Sequence, residues 1–299
     1  MAEKRKITVS EYDAFGPWIY EVTETHPLPR VFVPWFDEND QAVMKIKVPI
    51  KLERAKANPD MDLYEYVLAL YNDRLRILHW QGTRVEEQVI DAKDFAGFRY
   101  YNNLLIGACT VFYKDGATSF SFNTVSEDLV KDFFIRALSL FGNGDSVETG
   151  TASLPRIQPQ TEAIMFTNQL HYISMKDPDV SVGAHQRSAG LKRKSGTEVE
   201  NVAHMIWKEM NPEALHLYTD RDLIILEHGT FPNRAGMDDC GYTYTRVLLD
   251  RITGIEITDS GAYADLKDCS IRMGSNTITY HFSTGNEEML TFYDAVNKL

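Results

Sequence analysis

The sequence predicts an α+β protein, mainly β, made of two tandem domains over residues 1–148 and 149–299. Three observations carry this reading. A strand, turn and strand motif occurs twice: Leu70-Tyr71-Asn72-Asp73-Arg74 leads into Leu75 to Trp80, and Leu217-Tyr218-Thr219-Asp220-Arg221 leads into Leu223 to His228. Landmarks downstream keep step, Gly97 answering Gly254, Cys109 answering Cys269, Phe120 and Phe122 answering Tyr280 and Phe282, and Thr124 and Glu127 answering Thr284 and Glu287. The separation is 147 at Leu70 and Leu217, 157 at the glycines and 160 from Cys109 onward, so short insertions in the second copy account for the drift. Finally, each run of strands closes on one amphipathic helix. Self-similarity with a period near 150 means whole domains repeated, not a solenoid.

Composition agrees. A chain of 299 residues is near the upper limit for one core, and 43% apolar with 25% charged residues describes an ordinary globular protein. The net charge of −12 divides evenly, with 17 Lys+Arg against 23 Asp+Glu in residues 1–149 and 14 against 20 in the rest. An acidic surface of that kind disfavours nucleic acid as a partner. Three cysteines, Cys109, Cys240 and Cys269, form no CxxC pair and are odd in number, which suits a reducing compartment. The charged stretch from Met1 to Tyr12 lacks the apolar core of a signal peptide, and a cytoplasmic location is the expectation.

Taken in order, residues 13–43 hold Pro17, Trp18, Pro27, Pro29, Pro34 and Trp35, and predict an irregular lead-in whose rings pack on the domain behind it. Met44, Ile46, Val48, Ile50 and Leu52 alternate with Lys45, Lys47, Pro49, Lys51 and Glu53, the period of a half-buried strand. Pro49 and the lysines assign it to a sheet edge. Tyr64 to Tyr71 and Leu75 to Trp80 form the recurrent hairpin, followed by strands at Val89 to Phe98, Leu104 to Tyr113 and Ser119 to Asn123, with a tight turn at Asp115-Gly116.

Thr124-Val125-Ser126-Glu127 and Thr284-Gly285-Asn286-Glu287 both have capping-box spacing. Behind them, Leu129, Val130, Phe133, Phe134, Ala137 and Phe141, and then Met289, Phe292, Tyr293 and Val296, fall at helical intervals. Gly142-Asn143-Gly144-Asp145 stops the first helix, and the Ser/Thr/Gly-rich run to Ser153 reads as a linker. In the second lead-in, Thr161 to Lys176 and Gly196 to Met210 read as partly helical.

The second copy, with Thr219-Asp220-Arg221 running into Leu223-Ile224-Ile225-Leu226 and then Leu249-Asp250-Arg251-Ile252-Thr253-Gly254-Ile255, resembles the bacterial pleckstrin-homology-like (PH-like) domain over about residues 215–299. The first copy resembles it over about 64–141 and departs at Asn72, where the family pattern has threonine. The resemblance implies tandem PH-like domains, each a bent antiparallel sheet or partial barrel capped by its C-terminal helix, and a non-enzymatic binding role with no catalytic residue to carry over.

No catalytic or metal-binding constellation stands out, and no cofactor is expected. The eight histidines lack HxH, HxxH and HExxH spacing, and no Walker or G-x-S-x-G sequence occurs. Arg74 and Arg221 read as turn arginines beside Asp73 and Asp220, and Cys109 and Cys269 as small core residues. The basic cluster Arg187, Lys192, Arg193 and Lys194 is the one candidate ligand-binding group. At roughly 1 kcal/mol per cation, it supplies ~4 kcal/mol toward an anionic lipid surface, about millimolar affinity. The leading expectation is therefore a non-catalytic interaction module that binds a protein partner, itself or another. Alternatives are membrane or anionic-ligand binding through the loop at 185–196, and an enzyme whose inter-domain site draws on His204, His216, Asp220 and Arg221.

Overall fold

A computed structural model describes residues 10–142, 151–161, 163–194, 209–234 and 241–299. In chain order it begins with a short helix α1 (Glu11–Ala14), β1 (Tyr20–Glu21), β2 (Met44–Pro49), β3 (Tyr64–Leu70), β4 (Arg74–Trp80), β5 (Val85–Asp91), β6 (Phe95–Asn103), β7 (Ile106–Tyr113), β8 (Gly116–Asn123) and helix α2 (Glu127–Phe141). Then follow α3 (Ile164–Lys176), β9 (Ser181–Gln186), β10 (Ala189–Gly190), β11 (Glu209–Asn211), β12 (Ala214–Tyr218), β13 (Asp222–His228), β14 (Asn233–Arg234), β15 (Tyr242–Leu248), β16 (Gly254–Asp259), β17 (Leu266–Met273), β18 (Asn276–Ser283) and α4 (Glu287–Val296).

The protein is mainly β with a minor helical part, and its sheets are antiparallel and open. Their strand orders are β1-β2-β3-β4-β5, β8-β7-β6-β15-β13-β12-β9, β10-β11-β14 and β16-β17-β18. Strands from either side of residue 148 thus share the seven-stranded sheet, where Phe98 pairs with Arg246 and Tyr100 with Tyr244. Two compact units result, residues 1–94, 105–107 and 121–141 in one, and 95–104, 108–120 and 142–299 in the other. No helix among the described residues is long and apolar enough to cross a membrane.

In the first unit the lead-in does pack its rings behind itself: Phe15 and Phe32 join Leu63, Tyr64, Val67 and Leu78 in one cluster, with Trp35 and Phe36 against it. That cover changes the fate of β2. Alternation predicts Lys47 on a wet face, yet Lys47 is 1% exposed, its Nζ donating to the Pro27 carbonyl at 2.8 Å and lying 4.4 Å from the Tyr64 ring centroid. Nor is β2 an outermost strand, since β1 pairs with it on the side away from β3.

Cys109 and Cys269 are each the fourth residue of an eight-residue strand, β7 and β17, and both are fully buried. The hairpin motif is displaced by one residue from what its letters suggest. Leu70 pairs with Leu75, but Tyr218, not Leu217, pairs with Leu223. The loops are therefore Asn72-Asp73, closed by the Tyr71 N–H on the Arg74 carbonyl at 2.9 Å, and Asp220-Arg221, closed by the Thr219 N–H on the Asp222 carbonyl at 2.9 Å. A one-residue slip exchanges faces, so Arg74 heads a strand over the Tyr71 ring while Arg221 lies in the loop. The Thr219 hydroxyl holds the second turn by accepting the N–H groups of Arg221 and Asp222, each at 3.1 Å.

The helix starts are likewise corrected. Asn123 accepts the Val125 N–H at 3.0 Å and opens a 3-10 turn over Thr124–Ser126 before α2 begins. Asn286 caps α4 by accepting the Met289 N–H at 3.1 Å. Asparagine at these positions competes well with the threonines one and two residues away, because its carbonyl reaches the same orphan donors. Behind that cap Met289, Phe292, Tyr293 and Val296 are buried against Leu223, Ile225, Val247, Ile271 and Phe282. Each such side chain contributes roughly 1.5–3 kcal/mol. Of the linker expected up to Ser153, residues 143–150 lie outside the described residues, as does most of the helix expected over Gly196 to Met210, while Glu209–Asn211 is strand.

Candidate functional site: a polar cleft at the end of β9

Strand β9 is the last of the seven-stranded sheet, and the chain adds to its edge a segment of its own: the Ile157 N–H donates to the Val182 carbonyl at 2.9 Å. The strand ends at Gln186, a side chain 2% exposed. Its Oε1 accepts the Ser283 N–H at 3.0 Å and the Asn286 Nδ2 at 3.2 Å, and its Nε2 donates to the Arg187 carbonyl. Asn286 in turn donates from Nδ2 to the His185 carbonyl at 2.9 Å. A single asparagine thus ties the end of β9 to the first turn of α4, and a buried glutamine is satisfied on both sides.

Outside this knot lies a cleft of about 700 Å³ bordered by Ile157, His185, Gln186, Arg187, Ser283 and Asn286. A second recess of about 490 Å³ shares Arg187 and Ser188 with it and reaches Thr161 and Glu213. The pair His185 and Glu213 joins the two recesses, with Nε2 and Oε1 2.8 Å apart. Burial pushes the Glu213 carboxyl up, but His185 and the hydroxyl of Thr161 outweigh it and hold the group below the usual range. Arg187 donates to Gln160 Oε1 at 3.1 Å. The walls of the cleft therefore carry a cation, an imidazole already paired with Glu213, and amides committed to the knot behind them. The hydroxyl of Ser188 donates away from the imidazole, to the Asn211 carbonyl at 3.2 Å, so no nucleophile and base are paired here.

The four basic residues singled out by sequence do not form one surface. Arg187 lines the cleft, whereas Lys192, Arg193 and Lys194 run beside residues 262–265, where Arg193 bridges to Tyr263 and the Lys194 N–H donates to the Ala262 carbonyl at 2.9 Å. Lys192 pairs with Asp265 at 3.2 Å, and Arg193 grips Glu209 with two nitrogens, one at 3.1 Å. Of the residues offered for an enzyme, His216 is buried with its Nδ1 2.6 Å from the Tyr293 hydroxyl, Asp220 and Arg221 occupy the hairpin loop, and His204 lies outside the described residues.

Sequence reasoning missed His185, Gln186, Glu213 and Asn286. A further titratable set in the same unit is half-buried: Arg99 donates to the Tyr280 hydroxyl at 3.0 Å and to Thr245 at 3.2 Å, next to Glu227. Burial pushes the Glu227 carboxyl up to about 7 and the His216 imidazole down to about 3. Among the described residues no group of three or more His, Cys, Asp or Glu is arranged to hold a metal ion. Compared with known proteins, the chain matches no family model, and no curated protein matches it.

Proposed function

We propose that this chain is a non-catalytic, cytoplasmic interaction module of two PH-like domains that holds an extended segment of a partner protein in the cleft beside Arg187. The domain part of the reading is supported by order of connection. Four strands β2-β3-β4-β5, three strands β6-β7-β8 and helix α2 are followed by four strands β9-β12-β13-β15, three strands β16-β17-β18 and helix α4. The observation that carries the binding part is the segment at Ile157, which already lies along β9 through a main-chain hydrogen bond at the cleft wall. Extended peptides are captured in the same way, main-chain groups giving affinity and neighbouring pockets giving selectivity.

The anionic-membrane alternative loses support from the acids that engage Lys192 and Arg193. Panning a random-peptide phage library on the whole chain, with Arg187→Glu as comparison, tests the proposal. Recovered peptides should bind the parent and lose at least tenfold on the variant. Recovery of no peptide, or of peptides indifferent to Arg187→Glu, abandons the cleft.

A further inference from the structure

Among the described residues the joint between β6 and β15 has an unfilled counterpart in each half of the chain. Strand β15 takes part in two ladders. Toward β13, the Gly229 N–H on the Gly241 carbonyl at 2.7 Å and the Leu249 N–H on the Arg221 carbonyl at 2.8 Å fix which residues bond inward. In an antiparallel ladder bonded and non-bonded pairs alternate, so Tyr242, Tyr244 and Arg246 turn their backbone groups the other way, to Asn102, Tyr100 and Phe98 of β6.

The strand corresponding to β15 in the first half is β5, since Asp91 stands opposite Arg74 as Leu248 stands opposite Asp222. The same parity argument applies to it. The Gln81 N–H on the Arg84 carbonyl and the Ala92 N–H on the Asp73 carbonyl, at 2.9 and 2.8 Å, leave Val85, Glu87, Val89 and Asp91 with outward-directed backbone groups. Among the described residues β5 is the last strand of its sheet. The strand corresponding to β6 in the second half is β16, also last in its sheet. Its bond from the Ser260 N–H to the Leu266 carbonyl at 2.9 Å leaves Ile255, Ile257 and Asp259 facing outward. Both open edges thus carry the hydrogen-bonding phase that the filled joint uses.

The corresponding glycines of the two strands differ in what surrounds them. A Cβ on Gly97 would lie 2.1 Å from the Arg246 carbonyl oxygen, because a φ of +152° turns that position toward β15. The corresponding Gly254 has nothing within 4 Å.

We propose that chains assemble head to tail, β16 of one copy pairing antiparallel with β5 of the next and repeating between molecules the joint that β6 and β15 make within one. The register follows from Arg246 with Phe98, Tyr244 with Tyr100 and Tyr242 with Asn102: Val89 meets Ile255, Glu87 meets Ile257 and Val85 meets Asp259. The contact is heterologous, so it extends to short filaments and does not stop at a dimer. Acidic side chains on the two edges carry their own cations, Glu87 with Arg76 at 2.7 Å and Asp259 with Lys267 at 2.9 Å, which removes direct repulsion across the seam. A net charge of −12 per chain still opposes approach, so assembly strengthens with salt. One competitor is built in: Asn297 Oδ1 accepts the outward Ile255 N–H at 2.9 Å.

The inference rests on the tandem-domain reading but not on the cleft. The experiment is sedimentation equilibrium and light scattering on the whole chain across concentration and salt, with the Gly254→Ala, Val89→Pro, Asn297→Ala and Arg187→Glu variants. The mass should rise above the 34.1 kDa of one chain as concentration and salt increase. Val89→Pro, which removes an outward N–H and no bond within the sheet, should weaken association at least tenfold, whereas Gly254→Ala, whose Cβ would stand out of the sheet plane, should leave it unchanged. Asn297→Ala should strengthen it, and Arg187→Glu should leave it unchanged while weakening peptide capture. In a Cys240→Ser background, Glu87→Cys with Ile257→Cys should give an oxidised ladder of chain multiples, since residues in a bonded pair lie about 5.5 Å apart, within disulfide reach. A constant mass of 34.1 kDa under all conditions, or association indifferent to Val89→Pro, overturns the proposal.

Discussion

Arg246 donates from Nη1 to Asp177 Oδ2 at 2.8 Å from the middle of a strand buried along its whole length, and its Nε is bonded to Asp222. Asp177 also faces Arg221 at 3.6 Å, so two carboxylates are balanced by one buried cation and one half-buried one. Truncating one partner of such a set leaves an uncompensated buried charge, which costs about 3–5 kcal/mol. Arg246→Ala is therefore expected to lose that much in denaturant unfolding. Asp177→Asn should lose less, because Asp222 still engages Arg246.

Two groups set opposing pH dependences. The Glu227 carboxyl is pushed by burial up to about 7 from 4.5, against the pull of Arg99, so the folded state holds its proton between those values while the unfolded state does not. Stability from this group falls as pH rises from 4.5 to about 7, by at most about 3 kcal/mol. His216 is pushed down to about 3 from 6.5, by burial and then by His185, so the unfolded state binds the extra proton and stability rises with pH over that window. Glu227→Gln should remove the fall and His216→Gln the rise, read from denaturation midpoints between pH 3 and 8.

Lys47 provides a third titration. Burial pushes its amine down to about 8 from 10.5, so between those values the unfolded chain keeps a proton that the folded chain has released. Stability should rise with pH across that range by up to about 3 kcal/mol. Lys47→Met should abolish the rise while staying within about 1 kcal/mol of the parent at neutral pH, the lost bond to the Pro27 carbonyl offsetting the relief of a buried charge.

The burial of Lys47 also marks where sequence ran out. Period-two alternation located β2, and helical spacing located α2 and α4, because those signals are local. Whether the far face of β2 meets water depends on Phe15 and Phe32, which are remote in sequence. The motif ending in Asp73-Arg74 and Asp220-Arg221 signals both hairpins, yet the turn is placed by the Thr219 hydroxyl and by Tyr71, whose own hydroxyl is committed to Asp40 at 2.6 Å. Nearly identical letters, differing only at Asn72 and Thr219, therefore concealed a one-residue slip. In the cleft only Arg187 was visible, as one of several cations. Gln186, Asn286, His185 and Glu213 are joined by single bonds across long stretches of chain, and no spacing announces them.

The two landmark glycines allow the strand correspondence itself to be tested. Gly97 has φ of +152°, a region that side chains rarely adopt, and an added Cβ would strike the Arg246 carbonyl oxygen at 2.1 Å with the Val247 Cα 2.8 Å away. Both obstacles are backbone within a seven-stranded sheet and cannot turn aside. Gly97→Ala must then part β6 from β15 locally, and it is expected to lose at least about 3 kcal/mol or fail to yield folded protein. Gly254, at the corresponding place on an edge strand, has open space around its Cβ position, and Gly254→Ala should unfold within about 0.5 kcal/mol of the parent in dilute solution. Equal losses at the two positions would mean that Gly254 already has a neighbour in the single chain, and that β16 is not the open counterpart of β6.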